Sequence, residues 1–403
     1  MKTNLIPLRR LLCALTAGTL IIASQAFAAP VITATKDDGV PAATKKNPGD
    51  QITYTIGIGN SGSDATNVTL TDGTPANTTD VSLAASPVGV DDTYPQTVIG
   101  NVSVNSAIIT YSVAANDYLG ANPAATIDQV QAVTAIVTNT ITATTAQGGT
   151  VVMTVSGSGI GQFTYNPPAG YTGTDTFTYR LSDNANASSA SSNRTATVTI
   201  PISGMVWFIN NNAGAGDGRL SSPFNSLAAF QAVNDGVGNH PAAGDNIFIY
   251  ESSTAYTGPV TLLDTQKLIG QDATASLSTI TGLTPPTSSA PFPTTDSGNA
   301  TIVTITSASD AIKIANTASA TIRGLTIGNT TGSGIANAGA TFGTLNVSDI
   351  SDTGTGQILN LTSGTLNATY NTFSSSSSTN AVNLVTVNGS VTVNNSSSAI
   401  SGG

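Results

Sequence analysis

From Ala300 onward, small clusters of alternating aliphatic residues recur: Ile302, Val303 and Ile305; Ile312 and Ile314; Ile322, Leu325 and Ile327; Leu345, Val347 and Ile350; Leu359 and Leu361; Val382, Leu384, Val385 and Val387; Val391 and Val393. Gly, Asn, Ser and Thr separate them. Residues two apart in a strand share a face, so each cluster supplies one inward row. The clusters return roughly every 20 to 25 residues, the pitch of a solenoid coil, in which a turn of chain buries its apolar row only against its neighbours. A sandwich does not need that regularity. The stretch T-I-R-G-L-T-I-G-N at 321–329 reads as one such coil, and a Pro/Thr/Ser-rich loop at 278–298 interrupts the pattern.

Composition points the same way for the rest of the chain. Thr, Ser, Asn, Ala, Val and Gly dominate, Lys is scarce, and Glu251 is the only glutamate. Straight-chain helix formers are depleted while β-branched and turn residues are enriched, which favours strands joined by tight turns. The first 28 residues stand apart as a secretory signal: Lys2, Arg9 and Arg10, an apolar stretch from Leu11 to Ala23, and Ala26-Phe27-Ala28 as a small-x-small cleavage site, with cleavage expected after Ala28. The only cysteine, Cys13, lies inside it without a lipobox, so the mature chain has no thiol, disulfide or Cys-based metal chemistry. Removing the signal takes away three of 12 basic residues and none of 22 acidic ones, moving the net charge from −10 to about −13. Nucleic acid is excluded as a partner for such a surface.

Three mature modules follow. The first, residues 29–86, carries N-P-G-D-Q-I-T-Y-T-I-G-I-G-N-S-G at 47–62, a strand with Ile52, Tyr54, Ile56 and Ile58 on one face, and a return strand with Val68 and Leu70. It resembles a conserved repeat of bacterial surface proteins known only as a domain of unknown function. The second, residues 87–203, opens with V-D-D-T-Y at 90–94, passes A-N-D-Y-L-G at 115–120, and closes with Q-F-T-Y-N-P-P-A-G-Y-T-G-T-D-T-F-T-Y-R-L-S-D at 162–183 and T-A-T-V-T-I-P-I at 195–202. Phe163 and Tyr165 share one face and Phe177, Tyr179 and Leu181 another, with a Pro/Gly turn between them, and the pair is expected to form a hairpin. These motifs resemble the bacterial cadherin-like, immunoglobulin-like surface repeat. A long Thr/Ala/Val segment at 122–150 departs from that pattern and predicts an insertion or an extra hairpin.

The third module, residues 204–403, begins with the short strand V-W-F-I at 206–209, a Gly-rich loop, and a helix over 221–233 with Ser222 as N-cap, Pro223 at its first position, and Phe224, Leu227, Ala228 and Phe230 as its apolar stripe. This order resembles the start of right-handed parallel β-helix proteins of the pectate-lyase-like superfamily. The fold class expected is thus all-β: two Ig-like β-sandwich modules followed by a right-handed parallel β-helix with one short capping helix. A solenoid needs a cap at each end, and none is legible near residue 403, so the chain is expected to be the N-terminal part of a longer polypeptide.

No catalytic constellation is visible. Between Ala300 and Gly403 the charged side chains are Asp310, Lys313, Arg323, Asp349 and Asp352. Asp310 and Arg323 are expected to face each other on neighbouring coils, while Asp349 and Asp352 sit in a turn segment where Asp is common. His240, the only histidine, lies in a turn without a partner motif. Gly214, Gly216 and Gly218 are spaced G-x-G-x-G, unlike a dinucleotide loop, and read as a flexible loop. Calcium is the strongest chemical option: Asp91, Asp92, Asn116, Asp117, Asp175, Asp183 and Asn184 lie at module ends or turns where oxygen ligands converge, although Asp and Asn are also the commonest turn residues. No other cofactor is expected. The functional expectation is a secreted or cell-surface structural or adhesion protein whose sandwiches present the β-helix to glycans or other surface proteins, with membrane attachment only through a C-terminal anchor or barrel outside this sequence. The alternatives are a β-helix polysaccharide lyase or hydrolase and the passenger of an autotransporter.

Overall fold

The computed structural model describes residues 31–37, 55–61, 87–119, 126–134, 139–182, 194–376, 380–395 and 399. The signal segment with Cys13, the strand residues Val68 and Leu70, and the calcium candidates Asp183 and Asn184 lie outside the described residues. The chain divides into two compact units, Met1–Val81 and Ser82–Gly403. In the first, β1 (Ile32–Asp37) pairs antiparallel with β2 (Thr55–Asn60), Ile32 opposite Asn60. Ile58 on β2 is 47% exposed; Ile52 and Tyr54, read onto the same face, lie outside the described residues.

The second unit starts as a sandwich. One sheet runs β5 (Val104–Asn105), β10 (Phe163–Asn166), β9 (Thr150–Thr154) and β8 (Thr140–Thr144). The other is built on β11 (Gly173–Ser182), flanked antiparallel by β6 (Thr126–Val130) and β12 (Thr195–Ile209); β7 (Val133–Thr134) extends β6, and β3 (Asp92–Thr93) and β4 (Val98–Gly100) lie parallel to β12. The segment expected to hold an extra hairpin supplies two, β6–β7 and β8–β9. The expected 162–183 hairpin is corrected. β10 pairs with β5 and β9, β11 pairs with β6 and β12, and the two strands belong to opposite sheets. Pro167 and Pro168 bring no N–H to a ladder, and the intervening loop crosses the core instead of reversing beside it. The face assignment survives: Phe163, Tyr165, Phe177, Tyr179 and Leu181 are all buried, and the Phe163 and Phe177 rings meet edge to face across the sheets at 5.4 Å.

β12 then leaves the sandwich without breaking. Its first part pairs antiparallel with β11, and Val206–Ile209 pairs parallel with β13 (Asn246–Ile249). The strand read as a separate element at 206–209 is therefore the end of one 15-residue strand. From β13 onward three parallel ladders stack. The first continues through β16 (Gln266–Gly270) and the early part of β19 (Ala320–Thr330), then β21 (Thr344–Asp352), β22 (Gln357–Phe373) and β23 (Val382–Val393). The second runs from β14 (Tyr256–Thr257) through β17 (Thr304–Ser307) to the later parts of β19, β21 and β22. The third runs β15 (Val260–Leu262), β18 (Ile312–Ile314), β20 (Ser333–Asn337), β22 and β23. In the first ladder Ile322, Val347, Ala368 and Val391 lie in register, one above the other; the first three are buried in the core of the stack, and Val391, on the last rung, is exposed. Asparagines bond between rungs, as in Asn383 Nδ2 to Asn360 Oδ1 at 2.9 Å.

The predicted helix is shorter and later. α1 spans Leu227–Gln231 with Ser226 as N-cap, its Oγ accepting from Ala229 N at 3.1 Å. Phe224 cannot belong to it, because its N–H and C=O are spent on Phe208 and Asn210 in a strand-like bridge. A second short helix, α2 (Leu277–Thr281), opens the Pro/Thr/Ser-rich loop. The Gly-rich loop is open at Gly214 but packed at its end: a Cβ at Gly218 would strike the rings of Trp207 and Phe224.

Sandwich and stack share a core. Ile99 and Val102 pack with Val206, Phe208, Phe248, Ile269 and Leu277. Asn101, 1% exposed, donates from Nδ2 to Val206 O at 3.1 Å and accepts from Gly170 N at 2.8 Å. The 278–298 loop returns over the sandwich, where Tyr94 donates to Ser288 Oγ at 2.6 Å and the backbone of Ser289 bridges Val104.

Candidate functional site

The sequence candidates separate into three places. Tyr179 stands on β11 with its hydroxyl among four acceptors: Asp117 Oδ2 at 2.7 Å, Asp92 Oδ2 at 3.1 Å, Val113 O at 3.1 Å and Val90 O at 3.4 Å. A phenol has one proton to donate, so these oxygens compete for it. Val90 N–H binds the other oxygen of Asp117 at 2.7 Å, and Tyr111 reaches Asp92 Oδ1 at 3.3 Å. Burial, aided by the charge of Asp117, pushes the Asp92 carboxyl up to about 6, and burial raises Asp117 too. Asp92 and Asp117 are thus brought together around the single hydroxyl of Tyr179, with Asn116 next to Asp117 in the sequence.

The other candidates stay apart. Asp91 is exposed and caps the backbone N–H of Thr197 at 2.7 Å. Asp175 lies four residues before Tyr179, about 13 Å along the strand. It is fully buried and accepts from Tyr165 at 2.7 Å, Gln147 N at 2.9 Å, Thr176 N at 2.8 Å and the Thr145 hydroxyl. Four donors occupy its lone pairs and make it a structural node.

On the stack, Asp310 and Arg323 do not face each other. Arg323 is held by Asp349, its Nε 3.0 Å from Oδ2, while Asp310 pairs with Lys313 at 3.5 Å and accepts from Ser333 N at 2.8 Å. Asp349 is one coil on from Arg323, and its left-handed backbone (φ 54°) turns its carboxylate back. His240 sits exposed beside Asp235 in its turn.

Glu251, Asp272 and Asp296 form a cluster that the sequence reading missed, each offering an oxygen within 4.8 Å of the others. Asp272 Oδ1 and Asp296 Oδ1 are buried without a hydrogen-bond partner, while Asn299 donates to Glu251 at 2.8 Å and Val303 N to Asp272 Oδ2 at 2.7 Å. Burial first, then repulsion from Asp296 and Glu251, lifts Asp272 to about 6. These three side chains could hold a divalent cation. A signal existed: Glu251 and Asp272 follow paired rungs, since Ile249 lies opposite Gly270, and the 21-residue step between them is one coil.

The sandwich geometry agrees with the comparison of this chain with known families, in which residues 84–200 match the family described as Bacterial Ig domain. Residues 84–200 are thus similar to a bacterial Ig domain. No curated protein and no solved structure matches the chain. The Ig match ends at Ile200, inside β12, so the strand that closes the Ig domain is the one that starts the stack. Bacterial Ig domains are typical of extracellular and surface proteins. Among the described residues no helix is long and apolar enough to cross a membrane, which says nothing of membrane barrels built from strands.

Proposed function

We propose that this chain is a secreted or cell-surface adhesion-type protein in which the bacterial Ig domain and the strand stack act as one stiff presenting body. The observation that carries this reading is β12, a single strand hydrogen-bonded to β11 at one end and β13 at the other. The stack is read as a right-handed parallel β-helix of the pectate-lyase-like kind, a reading supported by its three in-register parallel ladders. The role is mechanical: load on either module passes along a continuous strand and ladder hydrogen bonds rather than through a flexible linker.

The partners are glycans or other surface proteins, met by an acidic, Thr/Ser/Asn-rich exterior, and the net charge of −10, about −13 once residues 1–28 are removed, disfavours nucleic acid. The reading is non-catalytic, because Arg323 is engaged by Asp349 and Asp310 by Lys313 and Ser333, leaving no acid/base pair assembled between them. Residues 1–28 serve as the export signal. Proteinase K treatment of intact expressing cells tests the placement: loss of an epitope in the Ig domain without lysis is expected, and protection of that epitope until lysis would overturn it.

A further inference from the structure

A groove of about 640 Å³ opens between α1 and the β14–β15 turn, at the first rung of the second ladder. Its floor is apolar but shallow, made by Ala228, Ala255 and Pro259. Its polar groups are neutral: Asn211, Gln231 and Thr257 contribute amides and a hydroxyl, and no charged side chain lines it, although the chain as a whole carries −10. Asn211 donates from Nδ2 to Thr254 O at 2.8 Å, but its Oδ1 is buried and accepts nothing. That oxygen is shielded from solvent, so the polar contacts open to a ligand come from Gln231 and Thr257. Gln231 spends its carbonyl on Thr261 N, leaving its amide N–H groups to donate, and the exposed Thr257 hydroxyl can do either.

We infer that this groove binds a neutral saccharide, a ligand with a C–H face for the Ala/Pro floor and hydroxyls that both donate and accept. The inference rests on the adhesion reading and gives it a location. An acidic sugar has no cation to meet in this lining, and a cationic ligand no carboxylate.

The test uses the full chain and isothermal titration with neutral malto-, cello- and xylo-oligosaccharides against oligogalacturonate. At least one neutral probe binds and oligogalacturonate does not. Ala228 is exposed, so Ala228→Trp fills the groove without touching the core and lowers affinity tenfold or more at an unchanged melting temperature. Thr257→Val, which removes the exposed hydroxyl at nearly constant volume, lowers it severalfold. Absence of binding by every neutral probe, or wild-type affinity in Ala228→Trp, overturns the inference. In the second case the glycan-adhesion reading stands with its site elsewhere, whereas protection of intact-cell epitopes from proteinase K removes the surface reading independently of the groove.

Discussion

At the scale of single residues, burial of carboxyls gives the molecule its pH behaviour. Asp352 is 2% exposed, has one oxygen without a partner and faces the stack interior near the buried Tyr370 hydroxyl, which also lacks a partner. Burial pushes its carboxyl up to about 8. The unfolded chain gives up this proton near pH 4 and the folded chain holds it to about 8, so the folded state binds more protons between those values and stability falls as pH rises through them. The slope approaches about 1.4 kcal/mol per pH unit. Asp352→Asn is neutral in both states and removes it: the difference between urea midpoints at pH 5 and pH 8 shrinks in the variant relative to the wild type, leaving the part due to Asp92 and Asp272, and an equal wild-type and variant difference contradicts the assignment. Asp92, raised to about 6 by burial, acts in the same direction between about pH 4 and 6. Asp175 is the opposite case, satisfied by four donors; Asp175→Ala leaves the buried Tyr165 and Thr145 hydroxyls unpaired and should cost about 3 kcal/mol or more in denaturant titration. A loss below about 1 kcal/mol would contradict its role as a node.

At the scale of elements, the alternation of apolar residues made strand faces legible and left pairing partners open. Phe163, Tyr165, Phe177 and Tyr179 point inward as their period of two requires, but that period cannot distinguish a hairpin from two strands facing each other across a core. The helix start was misplaced because Ser222-Pro223 carries good capping chemistry locally, while the tertiary structure claims the backbone of Phe224 for a bridge to the preceding strand. The Asp310–Arg323 pairing failed because the two lie on different ladders: Arg323 sits in the first, opposite Ile269 and Ser348, and Asp310 comes just before the third, which charge and approximate pitch do not distinguish. That Asp92, Asn116 and Asp117 lie at strand ends was legible, but the reading set Asp91 and Asp175 with them, which the structure keeps apart, and the Glu251 cluster was not legible, since Asp296 reaches it from an irregular loop. Stacking of the coils also depends on a backbone approach that composition hides: a Cβ at Gly270 would land on the carbonyl oxygen of Gly324, which itself takes φ +70°. Gly270→Ala should therefore lower stability by about 2 kcal/mol or more, read from the thermal melt, because the clash is with backbone. A melt equal to wild type would mean that the rungs are not held at this spacing.

At the scale of the whole molecule, the junction decides how the protein works. Two Ig-like spacers on linkers would leave the stack free to reorient. Here, within Ser82–Gly403, a shared strand, a shared apolar cluster and the 278–298 loop tie the Ig domain to the stack. Asn101→Ala strips the partners from buried Val206 O and Gly170 N–H and should cost about 2–4 kcal/mol while lowering the cooperativity of unfolding. The most direct measurement is hydrogen-exchange mass spectrometry of the full chain over graded denaturant, following peptides from β11 in the Ig domain and from β13 and β16 in the stack. A single welded body predicts that the three peptides lose protection at the same denaturant concentration, and that Asn101→Ala separates them. Loss of protection in β11 while β13 and β16 remain fully protected in the wild type would contradict the claim that the two modules are one body.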